Sequence, residues 1–230
     1  MDKSRTELLI GKENLNLLSK KHITIVGVGG VGGYTAVMLA RAGVEKMTII
    51  DFDNVTPSNI NRQIIAYEST IGKPKVDVLK SMILQINKNA EVQDINAKLT
   101  AENVDNLIKN TDIVVDAIDS VADKLSLIVY CKKNNINIIS AMGAGNRFSI
   151  PKFEVTDIFK THDDGLAKVV RKKLRDEGIK HLEVVSSNMP VEYKSEKGNV
   201  GSISYYPAMC GCVISAEIVN KILRGELWHI

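Results

Sequence analysis

The stretch "HITIVGVGGVGG", His22 to Gly33, decides the fold. "HITIVG" is apolar and rich in β-branched residues, as a buried strand should be. Directly after it Gly27, Gly29 and Gly32 satisfy G-x-G-x-x-G and lead into a helical pattern. Glycines at those places let the backbone turn tightly and approach a phosphate at a helix N-terminus, where free N–H groups and the dipole favour negative charge. A second strand, "MTIID", ends on Asp51, the acid that such folds set against a ribose about 20 residues further on.

Outward from this unit, "EVQDI" (91–95), "DIVVDA" (112–117) and "INIISA" (136–141) read as further strands. Between them, helices are expected over Gly30–Ala42, Pro74–Asn87, Ala101–Lys109 and Val121–Asn134, with Pro74 in a first turn where its missing N–H costs nothing. The alternation predicts an α/β fold: a Rossmann-like, doubly wound, mostly parallel sheet with right-handed crossovers. After Met142 the pattern changes to a glycine loop, strand signals at "KFEVTDI", "LEVVS" and "GSISYY", a polar helix over Asp164–Glu177, and a small-residue helix from Pro207 to Arg224. No linker intervenes. Residues 1–142 therefore read as a nucleotide-binding core and 143–230 as an antiparallel, substrate-side extension of one domain.

A chain of 230 residues with 44% hydrophobic content can bury a substantial core, and its net charge of +3 permits a nucleic-acid partner without demanding one. The charged N-terminus lacks a secretory apolar run, and the most apolar window, Val200 to Val219, contains Pro207 and Glu217. A cytoplasmic protein is expected. Cys131 stands alone and Cys210 and Cys212 lie two apart, so neither a disulfide framework nor a structural zinc is expected.

The chemistry turns on "DFDNVTPSNINRQ", Asp51 to Gln63. A dehydrogenase needs an acid for the ribose, but no reason is evident for Arg62 and Lys75 to gather near the phosphates. Phosphoryl or nucleotidyl transfer supplies one, because charge grows on phosphate oxygens and cations aimed there stabilise the transition state. Asp53 and Asp119 are candidate Mg²⁺ ligands, the latter at the carboxyl end of the fourth strand. The same residues also have ordinary structural uses: Asn59 and Asn61 can satisfy turn backbone, and Asp119 with Ser120 can start a helix.

"GVGGVGG", "DFDNVTPSNINRQ", "IGKPKVD" and "DAIDS", in this order and spacing, resemble the adenylating domain of ubiquitin-activating enzymes and of the bacterial enzymes that activate sulfur-carrier proteins. "RTELLIG" (5–11), the run from Ala141 to Arg175 and "GSISYYPAMCGCVISAEIV" (201–219) are most similar to the tRNA threonylcarbamoyladenosine dehydratase branch. That resemblance implies that Gly27, Gly29, Gly30 and Gly32 wrap ATP phosphates, that Asp51 binds the ribose, and that Asn59, Arg62, Gln63 and Lys75 contact the triphosphate. It implies Asp119 near the metal, and an Arg5 that reaches into the partner subunit's site of a homodimer. The implied reaction activates the threonyl carboxylate as an acyl-adenylate and then cyclises it with net loss of water. A sulfur-transfer protein partner is suspected for some relatives.

Residues 143 to 209 contain no Cys, which disfavours transfer to a thiol of the ubiquitin-activating type. On the helix from Asp164, Lys168, Arg171, Lys172 and Arg175 form one basic stripe opposite Leu166, Val169, Val170 and Leu174. The stripe is either a solvated face or a tRNA-backbone contact, and Arg147 in the glycine loop is a second RNA candidate. The rival readings are an adenylyltransferase for the Gly-Gly tail of a sulfur-carrier protein and, further off, a non-catalytic nucleotide binder or NAD-dependent oxidoreductase.

Overall fold

The structure, a computed structural model, describes residues 1–193 and 200–225. Seven strands form one sheet: β1 (His22–Val26), β2 (Lys46–Asp51), β3 (Glu91–Asn96), β4 (Ile113–Asp116), β5 (Asn137–Ala141), β6 (Phe153–Asp157) and β7 (Glu183–Ser187). Their order is β3-β2-β1-β4-β5-β7-β6, and every neighbouring pair is parallel except β6 with β7. The expected doubly wound α/β sheet is therefore present. Its antiparallel part is a single edge strand, since β7 itself runs parallel to β5.

The apolar runs are continuous because both faces of the sheet are covered. Successive residues of β4 go to opposite layers: Ile113 and Val115 pack beneath α3 (Gly32–Ala42), α4 (Lys75–Ile86) and α8 (Tyr205–Arg224). Val114 faces α6 (Val121–Lys133) and α7 (Gly165–Asp176). Helices α1 (Ser4–Ile10) and α2 (Lys12–Lys20) precede the sheet, and the helix expected over 101–109 shrinks to the single turn α5 (Val104–Leu107).

One expected strand is corrected. "GSISYY" pairs with nothing; residues 201–204 lie outside any strand and α8 begins at Tyr205. The physical reason is Tyr206, fully buried, whose ring meets Phe153 of β6 edge-on at 5.2 Å and whose hydroxyl lies 2.9 Å from Ser187 Oγ. Anchoring that side chain leaves Pro207 in the first turn of the helix, where its missing N–H forfeits no intrahelical bond.

The small residues of α8 serve packing within the chain. Thr35 Oγ1 and Ser215 Oγ tie α3 to α8 through the Gly211 and Thr35 carbonyls, at 3.4 and 3.2 Å. A Cβ on Gly211 would lie 2.6 Å from the Val31 carbonyl oxygen and 3.0 Å from Tyr34 Cβ. Gly211→Ala should therefore force the two helices apart and lower stability by about 1–3 kcal/mol in urea denaturation.

Candidate active site

The carboxyl ends of β1, β2, β4 and β5 open onto one cleft of about 540 Å³, lined by Val26, Asp51, Ala117 and Ala141 among others. It lies where β1 is flanked by β2 and β4, the point at which strand order reverses and ligands of open α/β sheets bind. The glycine loop forms its floor. Gly27 has φ +85°, and a Cβ there would stand 2.6 Å from the Ala117 carbonyl oxygen, so only glycine fits the close approach of β1 to β4. Gly29 and Gly30 face the cleft; Gly32 lies behind it as the first residue of α3, where a Cβ would run into the Gly27 carbonyl.

Asp51 lines the cleft and braces its floor. One carboxylate oxygen accepts the Val28 N–H at 2.8 Å and the other the Asp53 N–H at 2.9 Å. The stretch after β2 then makes a short 3-10 turn, Pro57–Asn59, whose last carbonyl accepts the N–H groups of both Arg62 and Gln63. Arg62 and Gln63 line the cleft; Asn59 is buried beneath the turn, its side-chain oxygen accepting the Thr56 N–H at 3.1 Å. The structure thus gives Asn59 the turn-stabilising use and leaves the cleft to its neighbours.

Arg62 is half-buried and held by the Ser58 carbonyl at 2.8 Å and Asn61 Oδ1 at 2.9 Å. Gln63 is buried, and its Oε1 has no partner among the described residues. A buried polar atom left unpaired in this way is a place for a ligand or water. Lys75, also buried, donates to Asp53 Oδ2 at 2.7 Å. Asp119 is exposed at the cleft wall and makes no ion pair among the described residues.

Other expected residues lie elsewhere. Arg5 is exposed on α1 and does not reach the cleft of its own chain. On α7, Lys168, Lys172 and Arg175 are exposed, while Arg171 turns back to donate to the Thr161 carbonyl and Oγ1 at 2.8 and 2.7 Å. Val169, expected on the apolar side, is 45% exposed. Arg147 is the larger departure. It is 4% exposed and its guanidinium donates to the carbonyls of Gly143, Gly145, Asp163 and Met189, so it binds loops together instead of facing RNA.

A buried trio escaped the sequence reading. Lys124 Nζ, fully buried, donates to Asp116 Oδ2 at 2.7 Å, Ser140 Oγ at 3.2 Å and the Ala141 carbonyl at 3.0 Å, and Ser140 also bonds Asp116. The second Asp116 oxygen accepts the Ile118 N–H at 3.1 Å, fixing the segment that carries Asp119. The signal was present: Lys124 shares the buried face of α6 with Leu127, Ile128 and Cys131, and Asp116 closes an apolar strand.

Residues 3–227 match the ThiF family. The chain belongs to that family. It is 38% identical to the tRNA threonylcarbamoyladenosine dehydratase of Bacillus subtilis (strain 168), over 96% of this chain and 94% of that protein. Crystal structures of the E. coli tRNA N6-threonylcarbamoyladenosine dehydratase, TcdA, in complex with AMP and with ATP superpose with TM-scores of 0.92 and 0.91, at 34% and 33% identity. Each covers 96% of this chain, and the match spans 94% and 93% of the respective E. coli chains. The molybdopterin-synthase adenylyltransferase of Haemophilus influenzae is 32% identical over 68% of this chain and 64% of its own length.

The cysteines of this ThiF-family protein are poor nucleophiles. Burial pushes the Cys131 thiol up to about 12 and raises that of Cys210 as well, and burial also raises Cys212. A thiol held protonated in an apolar setting does not supply the thiolate that attack requires.

The Lys124–Asp116 pair generates a prediction. Lys124→Met should cost roughly 3–5 kcal/mol in chemical denaturation, because it leaves Asp116 buried and uncompensated. Adding Asp116→Asn, which removes that charge, should recover most of the loss.

Proposed function

We propose that the protein is an ATP-dependent tRNA threonylcarbamoyladenosine dehydratase. The observation that carries this reading is the extent of the similarity: the match to the B. subtilis dehydratase covers 96% of the chain, whereas the match to the molybdopterin-synthase adenylyltransferase covers 68% of it. Convergence of Arg62, Gln63, Lys75 and Asp119 on the glycine loop suits a triphosphate. ATP in the E. coli structure supports ATP as the co-substrate.

The threonyl carboxylate attacks the α-phosphorus, a P–O bond forms to the carboxylate oxygen, and the bond to pyrophosphate breaks. The carbamoyl group of the same modification then attacks the activated carbonyl, and AMP leaves with the carboxylate oxygen. The nucleophiles belong to the substrates, so the protein contributes position and charge. Asp51 holds the ribose while bracing the floor. Arg62 and Lys75 stabilise negative charge on the phosphates, Lys75 being kept in place by Asp53, and Gln63 donates a side-chain N–H to a phosphate oxygen. Asp119, a carboxylate open to water and without an ion pair among the described residues, would hold a Mg²⁺, which would neutralise charge on the leaving group.

The exposed cations Lys168, Lys172 and Arg175 supply a surface for the tRNA backbone, and removing one should lower the salt slope of tRNA binding by about 1. A homodimer accounts for Arg5: α1 exposes Leu8 and Leu9 at 83% and 84% and carries Arg5 outside its own cleft. If Arg5 acts across the interface, equal mixing of inactive Arg5→Ala and Arg62→Ala proteins should restore about a quarter of parental activity, because half of the randomised dimers keep one intact site. Among the described residues no helix is long and apolar enough to cross a membrane, and a tRNA substrate suits the cytoplasm.

The deciding experiment is nucleoside mass spectrometry of tRNA bearing threonylcarbamoyladenosine after incubation with the protein and Mg-ATP. Loss of one water, dependent on ATP and reduced about 10²-fold or more in rate by Arg62→Ala, is expected. An unchanged nucleoside with confirmed ATP binding would redirect the reading to carrier-protein adenylation.

A further inference from the structure

The cleft has a second wall, opposite the phosphate cluster, made by Gly143, Ala144, Gly145 and Leu166. Two buried ions hold it. Asp164, at the start of α7, accepts the Gly143 N–H at 2.8 Å on one oxygen and the Ala167 N–H at 2.9 Å on the other. Arg147 donates to the Gly143 carbonyl at 3.1 Å and the Gly145 carbonyl at 3.4 Å, and is itself anchored on Asp163 and Met189 at 2.7 and 2.9 Å. Both backbone groups of Gly143 are therefore pinned by charged side chains. On either side, the Met142 N–H goes to Val185 and the Asn146 N–H to Gly201.

What remains is informative. Among the described residues the N–H groups of Ala144 and Gly145 have no acceptor, yet both residues line the cleft and are half-buried. Charged side chains taken out of water to hold a short loop still, with two adjacent donors left over, are the arrangement that receives a developing oxyanion. We propose that Arg147 and Asp164 are positioning residues that clamp this loop, so that the Ala144 and Gly145 N–H groups bind the acyl oxygen of the substrate and stabilise it when the activated carbonyl is attacked. The inference rests on the dehydratase reading for the identity of that acyl group. It assigns Arg147 a task distinct from RNA contact, because its donors are engaged with four carbonyls.

The test compares Arg147→Lys, Arg147→Met and Asp164→Asn for turnover, ATP affinity, tRNA affinity with its salt slope, and amide hydrogen exchange. Lysine keeps the charge but cannot fork to several carbonyls. Arg147→Lys should therefore lose turnover about 10²-fold, as Arg147→Met does, with ATP and tRNA affinities within about twofold of the parent. Full turnover in Arg147→Lys, or a weaker and less salt-sensitive tRNA complex at unchanged turnover, would overturn the proposal. If both Arg147 variants fail to fold, Asp164→Asn decides by the same turnover criterion. Amide exchange needs no turnover: Gly143 exchange faster by about tenfold or more in Asp164→Asn supports the clamp, and unchanged exchange refutes it. A parent enzyme that leaves threonylcarbamoyladenosine intact would count against the dehydratase reading, while the exchange result still judges the clamp.

Discussion

The site depends on an ion pair with no access to water. Lys124 and Asp116 meet at the carboxyl ends of β4 and β5, and each alone would carry a desolvation penalty of several kcal/mol. Together with Ser140 and the Ala141 carbonyl they satisfy one another, and the arrangement dictates the path of the chain beyond β4. Asp116 takes the Ile118 N–H, Ala117 presents its carbonyl to the side-chain-free face of Gly27, and Asp119 comes out at the cleft wall. The glycine loop and Asp119 thus share one buried reference point.

The sheet was legible because its strands are buried on both faces and so read as unbroken apolar runs; β4, split between two layers residue by residue, shows why alternation was absent. One wall of the cleft was legible for a different reason, since Gly27, Asp51, Arg62 and Lys75 follow one another within 49 residues, the first two at strand ends and the last opening α4. Legibility fails where the fold brings a charged side chain to a buried partner, as it does for Lys124 and Arg147. Asn59 is occupied three residues away and Arg171 about ten, but Arg147 closes on Met189, 42 residues on, and nothing local marks it as buried. The mistaken strand at 201–206 has the same origin, because Tyr206 is committed to helix by Phe153 and Ser187 of the edge pair.

The division of the cleft follows from the topology. The first wall uses side chains on β2, the following turn and α4, all connected locally to the parallel core. The second uses backbone groups, and backbone donors need rigid support from elsewhere. Strand β7 supplies part of it by receiving the Met142 N–H, and α7 supplies the rest through Asp164, whose role as helix cap and loop anchor is discharged by two oxygens of one carboxylate. The helix that exposes Lys168, Lys172 and Arg175 is thereby bonded at its N-terminus to the wall of the cleft.

A site of this kind has no use for a protein nucleophile, and the cysteines agree with that: the two deeply buried thiols have their ionisation suppressed by burial. With both nucleophiles on the substrates, rate comes from holding a carboxylate and a phosphorus in line and from charges that need no reorganisation as the reaction proceeds. Preorganisation demands that the charged groups be held before the substrate arrives. Lys75 on Asp53, Asp51 on two N–H groups and Lys124 on Asp116 all meet that demand within the free protein. Among the described residues, Gln63 Oε1 and Asp119 on one wall and the Ala144 and Gly145 N–H groups on the other carry no such partner, so the held charges and the open groups face the same cleft.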